Sequence, residues 1–442
     1  MGTVLALAAL VVVGWWAVYH VNDAGDLTMM RTVGRLLDPP ATVGLVAPAG
    51  GVVAVGHSGA ARHPGAGADT SRPRTPVAAG AARLVMAAPA PRATRAPGPP
   101  RISAPRATLT PHISARRVAP RTRPPLPPRL PTAKLLLNDY QIFETWNNCG
   151  PASLSMALSY FGIQASQAAL GQDLRPYQNP QGDNDDKDVT MDELANEARR
   201  FGLLAYHRPN GTIQLLKRFI ASGLPVIADT LLAKGGDIGH FRVVKGYDDT
   251  GQTLIQDDSM QGHNVRFSYA DFNDMWKTYN DEYLVLAPKS ARQRVEAILG
   301  ADLSVNHAWR EAVAMDRAAL VKNPADVTSR LNLSVALYYV GRYQQAVAAF
   351  EQVQSRLPAR TLWYQIEPIE AYYKLGRYQK VIALTDAILT SGDRAFSELY
   401  ILRGRIAQRE GHIQAARAEF QRAVFYNTNM KEARDALAAV AH

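Results

Sequence analysis

Proline is concentrated in one stretch of the chain, and this limits where a folded core can form. Nineteen of the 28 prolines lie between residues 39 and 131 of the 442, and this stretch contains no Phe, Tyr or Trp. A segment without aromatic residues or a regular apolar pattern cannot bury enough apolar surface to fold. We therefore predict that residues 38–133 form a disordered Pro/Ala/Arg-rich linker, partly in the extended polyproline II conformation.

The positive charge of the chain follows the proline. The formal net charge is +10, but residues 41–137 carry fourteen Lys or Arg against a single acid, Asp69, and the remainder has 35 bases and 38 acids. Because the parts that can fold have no excess of positive charge, we expect no nucleic-acid partner. The linker could be a tether that crosses a cell wall or binds an anionic surface, or a plain spacer.

The N-terminus has the composition of a membrane helix. Residues 1–22 contain an apolar run of nineteen residues without a formal charge, which is about the length that crosses a bilayer, and Trp15 and Trp16 suit its interface. We predict a single-pass transmembrane anchor; a cleaved signal peptide is the alternative, although no Lys or Arg precedes the run. Arg31 and Arg35 favour a cytoplasmic position for the side that follows, but long hydrophilic regions often translocate regardless. The orientation is therefore open, and an extracytoplasmic position of the folded domains is compatible with it.

The only cysteine, Cys149, starts a predicted helix. A single Cys excludes intrachain disulfides and zinc sites built on CxxC pairs. Pro151 suits the first turn of a helix, and the apolar spacing that follows ends at Gly162. A helix N-terminus favours a thiolate over a thiol, so Cys149 is a candidate nucleophile. An inert Cys is the alternative, because free Cys is among the most buried residue types.

A cysteine nucleophile needs a base and a group that orients the base. His240 lies where a Gly-rich sequence changes into an alternating strand, and the next short strand ends in Asp257 and Asp258. Two adjacent hairpin strands can place a His beside a carboxylate. The other two His of this region, His207 and His263, lie in loop-like sequence, and we expect both at the surface.

Residues 134–288 have the composition of a globular domain of the α+β class, with helices first and antiparallel strands later. Thr190 predicts a capping box, Thr212 is a predicted N-cap, and a further helix is predicted to start at Ser268 and to run through Trp276. The apolar run of residues 283–287 predicts a strand that completes the sheet.

The pattern in this domain resembles the papain-like cysteine peptidases that cleave double-glycine leader peptides from bacteriocins. It consists of Gln141, the sequence CGPAS from Cys149, the sequence GHF around His240, an apolar strand that runs to residues 246–248, and an Asp in the next strand. The likeness covers nearly all of residues 134–288. It implies a papain-like α+β fold with neither a cofactor nor a metal ion.

The resemblance also implies a role for each site residue. Cys149 is the nucleophile, His240 the general base, Asp257 the carboxylate that orients the His, and Gln141 the donor to the oxyanion. The family's carboxylate is usually followed by Pro, whereas here it is followed by Asp258, so the choice between the two Asp residues stays open.

The domain differs from the bacteriocin processors in the domains to which it is joined. Those proteins are usually fused to an ABC transporter, but this sequence contains no G-x-x-x-x-G-K-[ST] motif. The closer likeness is therefore to the stand-alone peptidase-like domains of the family.

Three glycines recur at an interval of 35 residues, at Gly341, Gly376 and Gly411. A period of this length is typical of helix pairs that stack to bury their apolar faces. Residues 306–440 resemble tetratricopeptide repeats, which implies an all-α solenoid with a concave groove for peptides or a protein partner.

Together these features predict a membrane-tethered cysteine peptidase that cleaves a peptide or protein substrate by a Cys-His-Asp mechanism. The repeats would recruit the substrate or a protein partner. Two alternatives are open, a catalytically silent peptide-binding scaffold and an acyltransferase that uses the same site.

Overall fold

The computed structural model describes residues 130–177 and 189–441. The predicted membrane anchor and almost all of the predicted linker lie outside the described residues. Within the described part, no helix is both long enough and apolar enough to cross a membrane. All described residues belong to one compact unit, in which a sheet region is followed by a helical region.

The sheet region is built on one antiparallel sheet, with seven strands in the described residues. The strands are β1 (Ala133–Leu135), β2 (Leu204–Arg208), β3 (Val226–Leu231), β4 (Gly239–Asp248), β5 (Thr253–Asp258), β6 (Gly262–Ser268) and β7 (Tyr283–Ala287). Their order is β2-β7-β3-β4-β5-β6, and β1 pairs with β4. Strands β3 to β6 are thus neighbours both in sequence and in the sheet, as short antiparallel connections allow.

Six helices of the sheet region pack against the two faces of the sheet. They are α1 (Cys149–Ser159), α2 (Gln167–Leu174), α3 (Met191–Arg200), α4 (Ile213–Ala221), α5 (Tyr269–Trp276) and α6 (Arg292–Leu299). The predicted helix starts are confirmed: Thr190 forms a capping box with Glu193, and the side chains of Thr212 and Ser268 accept hydrogen bonds from the third residue of their helices. The predicted α+β fold is confirmed by this arrangement.

Strand β7 shows how the sheet separates two apolar cores. Leu284 and Leu286 belong to the core with helices α1 to α3, whereas Val285 and Ala287 belong to the core with helices α4 to α6. Successive side chains of a strand point to opposite faces. A strand that is buried on both faces therefore reads as an unbroken apolar run, which is how residues 283–287 appear in the sequence.

The helical region contains α7 (Val305–Lys322), α8 (Val327–Tyr339), α9 (Tyr343–Glu351), α10 (Thr361–Tyr364), α11 (Glu367–Lys374), α12 (Tyr378–Thr390), α13 (Ser397–Arg409), α14 (Ile413–Tyr426) and α15 (Lys431–Ala438). The three periodic glycines separate α8 from α9, α11 from α12 and α13 from α14. Their φ angles, 75° at Gly341, 71° at Gly376 and 80° at Gly411, are left-handed, as at many helix C-termini. The region is helical as predicted, and its assignment to tetratricopeptide repeats stays a prediction.

The helical region contacts the sheet region at several places, two of which lie shortly before β4 and at the end of α2. Arg360 forms an ion pair of 2.8 Å with Asp237, which lies shortly before β4. Asn427 donates a hydrogen bond of 3.2 Å to the carbonyl oxygen of Leu174, at the end of α2. The C-terminal helices therefore reach both the strand that carries His240 and the helices on the side of Cys149.

His207 is not at the surface, contrary to the expectation from its loop-like sequence. Its Nδ1 lies 2.8 Å from Asp192 and its Nε2 lies 2.5 Å from Glu282, and only 9% of its side chain is exposed. Burial by itself would lower the pKa of His207, but the two carboxylates outweigh it and raise the pKa to about 10. The imidazolium of β2 is thus paired with the nearly buried Glu282, before β7, and with the exposed Asp192 of α3.

We expect His207→Gln to remove a pH-dependent part of the free energy of unfolding. The folded-state pKa of His207 lies above its unfolded value of 6.5, so its stabilisation is fully present below pH 6.5 and is lost as the pH rises towards 10. Removing one partner of a buried ion pair costs about 3–5 kcal/mol. Urea unfolding should show a variant less stable by about that amount at pH 6, with a smaller loss of stability than the wild type between pH 7 and pH 10.

His412→Gln is the matched control, because 68% of the His412 side chain is exposed. Its stability curve should follow that of the wild type. Parallel pH curves for the wild type and His207→Gln would contradict the proposed contribution of the ion pair.

Candidate active site

Cys149 is the first residue of α1, and only 6% of it is exposed. The chain enters the helix through a turn at Asn147, whose φ is 53°. Arg175, from the end of α2, is itself buried and holds this turn by hydrogen bonds to the Asn147 carbonyl oxygen and, at 2.8 Å, to the Asn148 side chain. The thiol is therefore fixed at a helix N-terminus, where the helix dipole favours negative charge.

His240 is the second residue of β4, and 2% of it is exposed. One ring nitrogen of His240, the Sγ of Cys149 and a carboxylate oxygen of Glu144 all lie within 4.8 Å of one another. The residue before His240 is Gly239, where an added Cβ would lie 2.9 Å from the ring of Tyr364 in the helical region. The close approach of this ring explains why glycine is needed there. The structure thus brings together Cys149 and His240, as the sequence predicts.

Asp258 is the carboxylate that contacts His240. Its Oδ1 lies 3.1 Å from His240 Nε2, and its Oδ2 lies 2.8 Å from Nε of Arg242. The same Oδ1 accepts hydrogen bonds from the backbone N–H groups of Met260 and Gln261. Burial would raise the pKa of Asp258, but His240 and then Arg242 outweigh it and hold the pKa below its ordinary value. Asp258 is therefore a buried anion beside the imidazole.

Asp257, the carboxylate chosen from the sequence, does not contact His240 in this structure. It forms ion pairs with Lys245 at 2.7 Å and with His263 at 2.8 Å. In the register of β4 and β5, Asp258 lies opposite Arg242, and Asp257 lies opposite Val243. Because adjacent strand residues point to opposite faces, only one of the two Asp residues can share a face with His240. The assignment of the His partner is corrected to Asp258.

Gln141 lies next to the site through its contact with the same strand. Its Nε2 donates a hydrogen bond of 3.2 Å to the backbone carbonyl oxygen of Asp258. An amide nitrogen carries two hydrogens, so this bond does not use its whole donor capacity. Gln141 is therefore placed beside the His–Asp pair by a contact that the sequence analysis did not anticipate.

Glu144 is a member of the site that the sequence analysis missed. Its Oε2 lies 3.8 Å from His240 Nδ1 and accepts a hydrogen bond of 2.6 Å from Ser259 Oγ. Burial raises the pKa of Glu144, and the opposing effect of His240 is smaller. The only signal in the sequence was its position between Gln141 and Cys149.

Four exposed apolar side chains lie close in sequence to residues of the site. Tyr140, Phe143 and Trp146 flank Glu144 in sequence and are 39%, 63% and 37% exposed, and Met260, 43% exposed, follows Asp258. We call these four residues the apolar rim. Apolar surface that is exposed beside a nearly buried Cys–His pair is a candidate contact for a substrate chain.

The sequence of the sheet region matches a known protein family. Residues 136–284 match the sequence model of the Peptidase_C39 like family, a range that includes Gln141, Cys149, His240 and Asp258. No curated protein matches the chain.

Three solved structures are similar to part of the chain. A C39-like peptidase from Bacillus anthracis is 18% identical over 36% of this chain and 98% of that chain, with a TM-score of 0.31. The peptidase domain of Streptococcus ComA, a bifunctional ABC transporter involved in a quorum-sensing pathway, is 23% identical over 35% and 98%, with a TM-score of 0.27. The MamA RS-1 ArsTM double mutant is 17% identical over 34% and 82%, with a TM-score of 0.28.

Proposed function

We propose that this chain is a cysteine peptidase that hydrolyses a peptide bond in a peptide or protein substrate. The observation that carries the proposal is the line of groups Cys149, His240 and Asp258. One ring nitrogen of His240 lies within 4.8 Å of the thiol sulfur, and Nε2 lies 3.1 Å from a buried carboxylate. The match of residues 136–284 to a peptidase family supports the same conclusion.

In the proposed mechanism, the two ring nitrogens of His240 have different partners. Asp258 accepts the N–H of Nε2, which leaves Nδ1 of His240 to take the proton of the Cys149 thiol. The sulfur then attacks the carbonyl carbon of the substrate, and the proton on Nδ1 passes to the leaving amine as the peptide bond breaks. A thioester to Cys149 results, and water hydrolyses it with His240 as the base. The thiol is restored and the carboxylate product leaves.

The developing oxyanion needs hydrogen-bond donors and a positive potential. The N-terminus of α1, at which Cys149 stands, supplies the potential. We assign the second hydrogen of the Gln141 amide to the oxyanion, because the first is directed to the Asp258 carbonyl oxygen. Gln141 thereby keeps the role that the family resemblance implies.

The small exposed area of Cys149 and His240 restricts which substrate residues can reach the sulfur. Cys149 is 6% and His240 is 2% exposed, whereas the nearby apolar rim is open to solvent. A peptide segment can reach the sulfur only if its residues at the scissile bond are small, and larger apolar side chains farther away can contact the rim. We therefore assign to the site an extended segment with glycine or another small residue at the scissile bond and apolar residues beside it.

The helical region is the proposed recruitment domain. Its three helix pairs, each with a left-handed glycine at the turn, agree with the tetratricopeptide pattern of the sequence. Attachment to a membrane through residues 1–22 belongs to the same proposal.

Labelling of the single cysteine tests the proposal without knowledge of the substrate. The full-length protein is treated with iodoacetamide at pH 7, and the labelled fraction is measured by intact mass over time. Because His240 takes up the thiol proton, we expect His240→Ala to slow the labelling of Cys149 by at least about tenfold. His263→Ala is the control, since His263 contacts Asp257 on the other face, and its labelling rate should equal that of the wild type.

Circular dichroism of each variant shows whether it is folded. Equal labelling rates in folded wild type and folded His240→Ala would contradict the proposed nucleophile–base pair and favour a silent binding domain.

A further inference from the structure

We propose that Glu144, Cys149 and His240 form a binding site for Zn²⁺, and that the ion holds the peptidase in an inactive form until it is removed. Binding of the ion depends only on these three side chains, whereas the inhibition rests on the proposed peptidase function. The proposal gives Glu144 a purpose, since the Cys-His-Asp mechanism does not use it.

The distances between the three ligand atoms suit the ion. The atoms all lie within 4.8 Å of one another, and Nδ1 of His240 is 3.8 Å from Oε2 of Glu144. Zinc lies about 2.3 Å from a thiolate and about 2.0–2.2 Å from imidazole and carboxylate ligands. The ligand atoms of a tetrahedral site are consequently about 3.3–3.7 Å apart. The three side chains therefore need to close by only about 1 Å to coordinate zinc together.

The charges of the three side chains also favour a cation. A thiolate at Cys149 and a carboxylate at Glu144 would carry two negative charges beside a neutral imidazole. The His240 side chain is 3% and the Glu144 side chain 13% exposed, so water screens this repulsion little. A divalent cation would neutralise both charges inside the site.

Hydrogen bonds around the site resemble those that support metal ligands in general. A metal-binding His usually donates its other N–H to a carboxylate, which fixes the ring. Here Nε2 of His240 lies 3.1 Å from Asp258, and Ser259 donates to the Glu144 carboxylate at 2.6 Å. Two of the three proposed ligands, His240 and Glu144, are thus already held in position by hydrogen bonds to neighbouring side chains.

The mixture of ligand atoms selects the ion. Ca²⁺ and Mg²⁺ prefer oxygen ligands only, whereas Zn²⁺ accepts sulfur, nitrogen and oxygen together. Binding replaces the thiol proton of Cys149, which passes to solvent, and forms a zinc–sulfur bond. A sulfur bound to zinc cannot attack a carbonyl carbon, so the zinc form is inactive. A competing chelator removes the ion and restores the thiol.

Two measurements on the full-length protein test the site without any assay of turnover. In the first, the protein competes with a coloured chelator for Zn²⁺, and Cys149→Ala should bind one tight equivalent less than the wild type. In the second, one equivalent of Zn²⁺ should slow labelling of Cys149 by iodoacetamide at least about tenfold. EDTA should restore the labelling rate, and Mg²⁺ should have no effect.

Glu144→Gln separates this site from ordinary zinc binding by a Cys–His pair. The amide keeps the size of the side chain but loses the anionic oxygen, so we expect at least about tenfold weaker binding of Zn²⁺. Glu311→Gln is the matched control, because 51% of the Glu311 side chain is exposed, and its affinity should be that of the wild type. Equal affinities for the two variants, or unchanged labelling in the presence of Zn²⁺, would overturn the proposal.

Failure of the zinc site and failure of the peptidase proposal have different signatures. Protection of Cys149 by Zn²⁺ in a protein whose labelling does not depend on His240 would retain the metal site and reject the nucleophile–base pair. Dependence on His240 without protection by Zn²⁺ would retain the peptidase and reject the metal site.

Discussion

Cys149→Ala is expected to abolish peptide hydrolysis while the fold is retained. Without the sulfur no thioester can form, and loss of the nucleophile from such a site typically lowers kcat by about 10⁵-fold or more. Cys149 is a small residue at the edge of the core with α1 to α3, so its truncation should cost only about 1 kcal/mol of stability. Mass spectrometry of the products from a peptide library rich in glycine measures the loss directly.

Ser159→Ala is the matched control for this substitution. Ser159 is the last residue of the same helix, at the opposite end from Cys149, and its hydroxyl donates to the carbonyl oxygen of Met156 and accepts from the Asn138 side chain. This variant should cleave the library at the wild-type rate. Cleavage by purified Cys149→Ala at a comparable rate would contradict the peptidase proposal, since no other Cys is present to replace the nucleophile.

The second large effect is expected at Asp258. Asp258→Asn keeps the size of the side chain but removes the charge that stabilises the imidazolium of His240, and such a change lowers kcat by roughly 10²-fold to 10⁴-fold. The neighbouring Asp257→Asn is an unusually close control, because it also removes a buried carboxylate from an ion pair. Its kcat should stay within about threefold of the wild type, because its partners are not part of the reaction.

Both Asp variants will be destabilised, so each activity must be related to the folded fraction. Removing one partner of a buried ion pair costs about 3–5 kcal/mol, and circular dichroism at the assay temperature gives the folded population. A drop of kcat in Asp257→Asn with normal activity in Asp258→Asn would return the orienting role to Asp257.

Local features of the sequence were sufficient to predict the helix starts, including the position of Cys149 at one of them. Thr190 and Thr212 cap the helices that follow them, because capping depends on residues three positions apart. Cys149 was placed at a helix N-terminus from Pro151 and the apolar spacing alone. The antiparallel strands around His240 were likewise predicted from alternation within a few residues.

The carboxylate that contacts His240 could not be predicted, because it depends on register. Strands β4 and β5 shift register between Val244 and Gly246, and no local pattern in the sequence fixes such an irregularity. Asp257 and Asp258 are chemically identical, and a change of one residue in register exchanges their faces. The pairing of Asp258 with Arg242 is therefore a result of tertiary structure.

Long-range contacts explain the other differences. Glu144 joins the site through Ser259, and His207 is buried by Glu282 across 75 residues of sequence. Neither contact leaves a signal in the neighbourhood of the residue concerned. The loop-like interpretation of the sequence around His207 was wrong, because His207 lies inside β2, and it gave no information about the carboxylates that contact the ring.

Two of the contacts between the helical region and the sheet region lie near the segments that carry Cys149 and His240. One is at Asp237, three residues before His240, and the other is at Leu174, next to Arg175, which holds the turn before Cys149. His240 is thus close in sequence to one of these contacts, and Cys149 follows a turn that is held by the neighbour of the other. A chain cut after residue 288 would keep Cys149, His240 and Asp258 but would lose both of these contacts.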